Sequence, residues 1–131
     1  MRNAFHELAI ETHGRELLDF TDEVQAWIVR NEFRDGLLTL HLRHTSASLL
    51  IQENADPDVR RDLNAFFARL VRDGDPLFVH TAEGDDDMPA HVRAALTAVN
   101  LPCPSTMAGS PWEPGRGFTC GNIARAHIRV A

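Results

Sequence analysis

Leucine alternates with polar residues between positions 38 and 42, in the order Leu-Thr-Leu-His-Leu. This period of two predicts a β-strand with one buried face. His44 follows in register with the leucines, so its imidazole would end a core-facing row and would need a polar partner. A core histidine bonded to a backbone carbonyl is one interpretation. The hydroxyl, amide and acidic residues that follow His44 favour a functional site instead.

Further strands are indicated by apolar residues that stand among polar ones and are bounded by turn residues. A turn at His13-Gly14 separates the first two strands, and Asp35-Gly36 leads into the strand that ends at His44. The other predicted strands are residues 5–12, 17–20, 46–52 and 77–80.

Two helices are predicted in the first half of the chain from the helical spacing of apolar residues. The first spans about residues 22–33, and Thr21 can cap it. The second begins at Asp56-Pro57, where a capping acid precedes a proline at the first helical position. Its apolar stripe is predicted to belong to the core and consists of Leu63, Phe66, Phe67, Leu70 and Val71.

A third helix follows an acidic loop that contains three consecutive aspartates, Asp85 to Asp87. One interpretation of these acids is a solvated turn in which one of them caps the helix. Because His44 and His91 each end an apolar stripe, we predict that they share one pocket. His91 shares its helix face with Ala94, Ala95 and Ala98.

The order of these elements indicates an α+β fold, with helices packed on one face of a mostly antiparallel sheet. A chain of 131 residues is long enough for one hydrophobic core and too short for a second. We therefore expect a single domain over residues 1–131.

Charge and composition exclude several classes of function. The formal net charge of -6 argues against a nucleic-acid surface, which would carry a basic stripe. The sequence has neither an apolar stretch of membrane-spanning length nor the apolar block of a signal peptide at its N-terminus, so a cytoplasmic protein is expected.

Cys103 and Cys120 lack CxxC spacing, which predicts neither a disulfide nor a zinc knuckle. All thirteen basic residues are arginine, so an anion would be bound by arginine, histidine or a helix N-terminus.

Three histidines and several acids form a candidate set of metal ligands. Imidazoles with carboxylates can bind zinc, whereas carboxylates alone better suit magnesium with a phosphorylated substrate. The same groups could serve in general acid–base catalysis, and Arg60 or Arg61 lies close enough to a helix start to reach them. The spacing is not a known zinc signature. The set consists of His44, His80, His91, Glu53 and the Asp85–Asp87 loop.

The run HTSASLLIQENADPDVRRDL, an FFxRL helix and the run HTAEGDDDMPAHVRAALTAVNLP follow one another in this chain. Together they closely resemble the YjbQ-like family, whose members are described as secondary thiamine-phosphate synthases. The resemblance covers about Phe5 to Pro102. It implies a homotrimeric α+β protein that weakly joins a hydroxymethylpyrimidine diphosphate to a thiazole phosphate and releases pyrophosphate.

The resemblance, combined with the chemistry above, assigns roles to individual residues. Catalysis is expected of His44, His91 and Glu53. A divalent metal, Mg or Zn, is expected at His80, Asp86 and Asp87. Whether the chain is an enzyme stays open, because a metal-binding or small-ligand-binding protein without a dedicated reaction is the alternative. A small phosphorylated substrate is expected to contact Thr45, Ser46, Ser48, Asn54 and Arg60.

The tail after about Pro102, residues 103–131, departs from the family, which has DGRLALGTWQGIYLWEHR at this point. Codons that overlap Met107-Ala108 and Trp112-Glu113 must encode glycine, and the family has glycine at both positions. The other overlaps permit the remaining family residues, which suggests a shift of reading frame near Pro102. A third interpretation is therefore an inactive product whose sheet lacks its last strands and has exposed edges.

Overall fold

A computed structural model describes residues 2–53, 56–105, 116–121 and 126–130. For Glu53 and for the last two ranges it describes the backbone alone. The elements in chain order are β1 (His6–Ile10), β2 (Leu17–Asp19), α1 (Thr21–Arg30), β3 (Gly36–Leu42), β4 (Ser48–Glu53), α2 (Pro57–Leu70), α3 (Asp87–Leu96), β5 (Asn100–Ser105), β6 (Arg116–Gly121) and β7 (Ala126–Val130).

The described strands form two sheets rather than the single predicted one. Their orders are β1-β7-β3-β5 and β2-β6-β4, and every described strand pairing is antiparallel. The segment after α3 joins the sheets, because Val99 O accepts from Leu42 N and Ala98 O accepts from Leu49 N, at 2.8 and 2.7 Å. The α+β class is confirmed. None of the described helices is long and apolar enough to span a membrane.

The core lies beneath α1, and the alternation of β3 is confirmed. The leucines of β3 at positions 38, 40 and 42 are buried, whereas the polar residues between and after them are half-buried or exposed. Trp27 of α1 packs against this row together with Phe33. The buried cluster consists of Phe20, Val24, Trp27, Leu38, Leu40, Leu42, Ala47, Leu49 and Cys103.

Helix α1 differs from the prediction at both ends. Thr21 is its first residue rather than its cap, and Asp19 Oδ1 accepts from both the backbone N–H and the hydroxyl of Thr21. The helix ends at Arg30 instead of Phe33 because Glu32 adopts a left-handed conformation with φ +54°. The N–H groups of Glu32 and Phe33 then bond back to Val29 and Ile28, which is a Schellman ending.

Helix α2 begins as predicted, with the Asp56 carboxylate accepting from Asp58 N at 2.8 Å and Pro57 as its first residue. The predicted burial of its apolar stripe is wrong for the four residues inside the helix, whereas Val71, directly after the last helical residue, is buried as predicted. No residue of α2, all of which the structure describes, is buried, and Phe66 and Leu70 are 48% and 54% exposed. Helical periodicity identifies an apolar face but does not say whether the same chain covers it.

The strand predicted at residues 77–80 is also wrong, because this segment consists of turns and irregular chain. Its apolar residues Leu77 and Val79 are exposed. The strand beside β3 is instead β5, in which Pro102 and Pro104 pair with Thr39 and Leu37. Prolines are tolerated there because β5 is an edge strand.

The tail contributes strands to both sheets, which contradicts the expectation that its last strands are lacking. β7 lies between β1 and β3, and β6 lies between β2 and β4. Residues 106–115 and 122–125 lie outside the described residues. The shift of reading frame stays a prediction, and intact mass together with resequencing of the DNA around Pro102 would decide it.

Replacement of Asp56 by alanine is expected to lower the free energy of unfolding by about 1 kcal/mol, because one N–H at the start of α2 loses its side-chain acceptor. Chemical denaturation at fixed protein concentration measures this change. The control is Asp62→Ala, since Asp62 lies exposed within the same helix. Equal effects of the two substitutions would contradict the capping role.

The thiol of Cys103 is expected to react slowly while the protein is folded. Burial raises the pKa of this thiol to about 11, which makes the reactive thiolate about 100-fold scarcer than at the ordinary pKa. Because the pKa is raised on folding, this group's contribution to stability is complete below pH 9 and is lost between pH 9 and 11. Peptide mapping after alkylation at about pH 8 should show this, and equal rates with and without denaturant would refute it.

Candidate metal centre and adjoining cleft

Three predicted site residues meet at the N-terminal end of α3. Asp87 Oδ2 lies 3.1 Å from His80 Nε2 and 3.3 Å from His91 Nε2. Potential ligand atoms of the three side chains all lie within 4.8 Å of one another. Asp87 and His91 stand one helical turn apart on α3, whereas His80 comes from the segment between α2 and α3. We call these three residues the His80–Asp87–His91 centre.

The hydrogen bonding of His91 leaves a nitrogen lone pair directed at this centre. Its Nδ1 donates to the carbonyl of Thr45 at 3.1 Å, since a carbonyl oxygen can only accept. In the neutral ring Nε2 is then unprotonated and faces the Asp87 carboxylate at 3.3 Å. Two lone pairs this close repel each other, whereas a cation bound to both, or a proton on Nε2, makes the approach favourable. Histidines that bind a metal through one ring nitrogen commonly donate a hydrogen bond from the other ring nitrogen to a backbone carbonyl.

His44 has the opposite hydrogen-bonding pattern. Its Nδ1 accepts from the backbone N–H of Ser46 at 3.1 Å, and the Ser46 hydroxyl oxygen lies 3.0 Å from the same nitrogen. The proton of the neutral ring therefore resides on Nε2, so His44 presents an N–H donor where His91 presents a lone pair. The partner of His44 is a backbone N–H and not the carbonyl that a simple core histidine would use.

An open cleft of about 600 Å³ separates the end of β3 from α3, and both histidines line it. The predicted shared pocket of His44 and His91 is thus confirmed. Much of the remaining wall is apolar. Arg43 is the one guanidinium among the described lining residues, and its Nη1 pairs with Glu7 at 3.2 Å. The lining residues are Leu42, Arg43, His44, Thr45, His91, Ala94, Ala95 and Val99.

Several other predicted residues are not brought into this arrangement. Asp86 stands at the N-cap position of α3, although its side chain makes no capping bond there. Ser48 is buried and lines a separate cavity of about 30 Å³, and Arg60 lies half-buried on α2 outside the described lining of the cleft. Thr45 lines the cleft, and Ser46 is buried beside His44. Asn54 lies outside the described residues, as does the side chain of Glu53.

Sequence reasoning missed Arg93, a buried charged residue two positions beyond His91. Its Nη2 donates to the carbonyl of Val71 and to Asp73 Oδ1. The signal in the sequence is its helical phase, because Arg93 lies on the same buried side of α3 as Pro89 and Ala90. An arginine on a buried helix face requires partners elsewhere in the fold.

The chain is similar to known proteins in both sequence and fold. The family model described as "UPF0047 protein YjbQ-like" matches residues 6–107. A UPF0047 protein of Synechocystis is 52% identical over 90 residues, 69% of this chain and 61% of that protein. The UPF0047 protein YjbQ of Escherichia coli O157:H7 is 48% identical over 69 residues, 53% of this chain and 49% of that protein. The chain thus spans about half to three fifths of the length of these curated relatives.

Solved structures share the fold across nearly the whole chain. A hypothetical protein of Aeropyrum pernix superimposes with a TM-score of 0.85 at 18% identity, over 98% of this chain and 97% of that one. A conserved hypothetical protein of Thermus thermophilus gives 0.83 at 25% identity, over 96% and 98%. The fold likeness therefore extends into the tail, whereas the sequence match ends at residue 107. The chain belongs to the YjbQ-like family of UPF0047 proteins.

Proposed function

We propose that this chain binds a divalent transition-metal ion at the His80–Asp87–His91 centre and uses the adjoining cleft for group transfer from a phosphorylated small molecule. The observation that carries the proposal is the lone pair of His91 Nε2, which faces a carboxylate oxygen at 3.3 Å while Nδ1 donates to the Thr45 carbonyl. A cation bound between His91 Nε2 and the Asp87 carboxylate would remove the repulsion between them. Protonation of His91 also resolves it, so metal binding has to be measured.

The donor set favours one class of metal. Two imidazoles and one carboxylate suit zinc and related ions, whereas magnesium prefers oxygen ligands alone. Three protein ligands leave one position of a tetrahedral zinc site for water or substrate, as catalytic sites do and structural sites do not. Zinc is therefore the better choice of the two expected metals.

The proposed reaction is that of the thiamine-phosphate synthases which the family motifs resemble. The bond between the pyrimidine methylene carbon and the diphosphate oxygen breaks, the thiazole nitrogen bonds to that carbon, and pyrophosphate leaves with the bonding electrons. A bound metal would supply positive charge to the leaving diphosphate. His44 Nε2–H donates a hydrogen bond to an anionic oxygen, and the wall of Leu42, Ala94 and Val99 contacts the heterocyclic ring.

The cleft also supports a second candidate, a metal-binding protein without a dedicated reaction. Among the described residues the cleft has one guanidinium, that of Arg43, and it is paired with Glu7. An anionic diphosphate would thus depend almost entirely on the metal for charge. The protein as a whole has a formal charge of -6, which further disfavours anion recruitment.

Metal titration followed by a turnover assay tests the proposal and separates the two candidates. Metal-free protein is titrated with zinc and with magnesium, and pyrophosphate release is then measured with hydroxymethylpyrimidine diphosphate and thiazole phosphate. We expect zinc binding at one site per chain and a turnover that is lost in His44→Ala. The control is His41→Ala, on the strand that precedes His44, because the His41 ring bonds to Asn100 away from the cleft. Zinc binding without turnover would favour the second candidate, and absence of zinc binding would overturn both.

We further propose that the chain assembles as a homotrimer. The support is the apolar face of α2, where Phe66 and Leu70 are half-exposed, together with the exposed Leu77 and Val79 beyond it. Apolar surface of this kind is commonly covered by a partner subunit. Sedimentation equilibrium should give about three times the chain mass of 14.6 kDa, and a monomer at micromolar concentration would contradict the proposal.

A further inference from the structure

Arg93 ties the end of α2 to α3. It is only 4% exposed, and its Nη2 donates both to the carbonyl of Val71 and to Asp73 Oδ1, the latter at 2.6 Å. Asp73 Oδ2 accepts a further bond from Arg15 at 2.9 Å. Charge-assisted bonds of this kind are among the strongest that side chains form. They fix the point at which the chain leaves α2.

The chain closes a loop immediately after this point. Gly74 N donates to Asp85 O at 2.9 Å, so residues 74–85 form a loop whose two ends are joined. Gly74 adopts φ +68°, a conformation that other residues rarely take. His80 lies near the middle of the loop. We call Val71, Asp73 and the Gly74–Asp85 hydrogen bond the neck of the loop.

The body of this loop has little packing of its own. No residue from Gly74 to Asp85, all of which the structure describes, is buried, and Val79 is 97% exposed. By contrast, Asp87 and His91 belong to α3, whose residues Ala90 and Ala94 are buried. The location of His80 relative to the other two ligands therefore depends on how the neck is held.

We propose that Arg93 is a positioning residue for the metal centre. It projects from the helix that carries Asp87 and His91, and it holds the neck of the loop that carries His80. Arg93 thereby fixes the distance of His80 from Asp87 and His91. This inference rests on the proposed metal site and adds a residue that touches neither the metal nor the cleft.

Stability alone is a poor explanation for an arginine at this position. Arg93 Nε and Nη1 are buried and have no hydrogen-bond partner among the described residues. A buried guanidinium that is only partly satisfied is often no more favourable than an apolar side chain of similar volume. Asp73 Oδ2 also pairs with Arg15, so we expect this carboxylate to retain a partner when Arg93 is removed. We therefore expect Arg93→Met to remain folded, with a melting temperature within a few degrees of the unchanged protein.

The test is zinc affinity, measured by competition with a chromophoric chelator on the full chain. We expect Arg93→Met to bind zinc at least tenfold more weakly, since loss of a group that orients ligands typically costs roughly 10- to 100-fold. Arg93→Lys should recover part of the affinity through its ammonium group. The control is Arg69→Met, at an exposed position of α2 outside the neck.

A double-mutant cycle separates positioning from a general structural effect. If Arg93 acts through His80, then Arg93→Met causes no further loss of affinity in the His80→Ala background. An equal loss in both backgrounds, or unchanged affinity in Arg93→Met, would overturn the inference. If Arg93→Met fails to fold, Asp73→Ala removes a contact of the same neck at a partly exposed position. This variant should lose affinity several-fold with His80 present and not without it, and the opposite result would overturn the inference.

Failure of the inference is distinguishable from failure of the proposed function. Unchanged protein that binds zinc, together with Arg93→Met that binds equally well, would leave the metal centre in place and remove only the role of Arg93. Unchanged protein that does not bind zinc would overturn the metal centre and the positioning role with it.

Discussion

Replacement of His91 by alanine is expected to weaken zinc binding by about 100-fold or more, because the proposed three-ligand site would lose an imidazole whose lone pair the Thr45 carbonyl orients. Chelator competition or calorimetry on metal-free protein measures the change. His91 is only partly buried, so the substitution should leave the fold intact. A circular dichroism melt of each variant confirms this.

Two further substitutions sharpen the interpretation of that result. His13→Ala removes an exposed imidazole from the turn before β2 and should leave zinc affinity unchanged. Asp87→Asn should weaken binding to a similar extent as His91→Ala, since it removes the negative charge of the proposed ligand that both histidines contact. If His91→Ala bound zinc as tightly as the unchanged protein, the metal would have to lie elsewhere.

The parts of the site that could be predicted from sequence are those set by local geometry. The alternation that ends at His44 survives in the structure because a strand has a period of two and one face of β3 is covered. His91 faces the same cleft because its apolar neighbours on α3 fix the phase of the helix. The Asp56-Pro57 start of α2 depends on two adjacent residues and was equally predictable.

The parts that could not be predicted depend on contacts between distant segments. The choice among the three consecutive aspartates is an exception, because Asp87 stands one helical turn before His91 on α3. The i, i+4 spacing was a usable signal for Asp87 over Asp86. The sequence around His80 does not indicate that this side chain comes close to Asp87 and His91. Their proximity depends on the closure of a loop whose residues are not buried.

The sheet arrangement shows the same distinction between local and distant information. Individual strands such as β1 follow from polarity, but the insertion of β7 between β1 and β3 requires knowledge of pairings across the whole chain. The exposed stripe of α2 is a related case. Its period indicates a helix with one apolar face, but it carries no information on whether another segment or another molecule covers that face.

Replacement of Leu40 by alanine is expected to lower the free energy of unfolding by about 3 kcal/mol, through lost apolar burial and the cavity left behind. Leu40 is 0% exposed, and it pairs with Leu101 of β5 and Val130 of β7, so the surrounding sheet has little freedom to fill the space. Urea denaturation measures the change at one fixed protein concentration, because assembly would make stability depend on concentration.

The same strand offers a matched control in Leu37, which is 68% exposed. Leu37→Ala removes the same atoms and should change the free energy of unfolding by less than about 0.5 kcal/mol. The contrast tests the inward direction of the row that His44 ends. Comparable losses for the two substitutions would mean that both faces of β3 are covered, and His44 would then stand beside a second buried surface rather than at the rim of an open cleft.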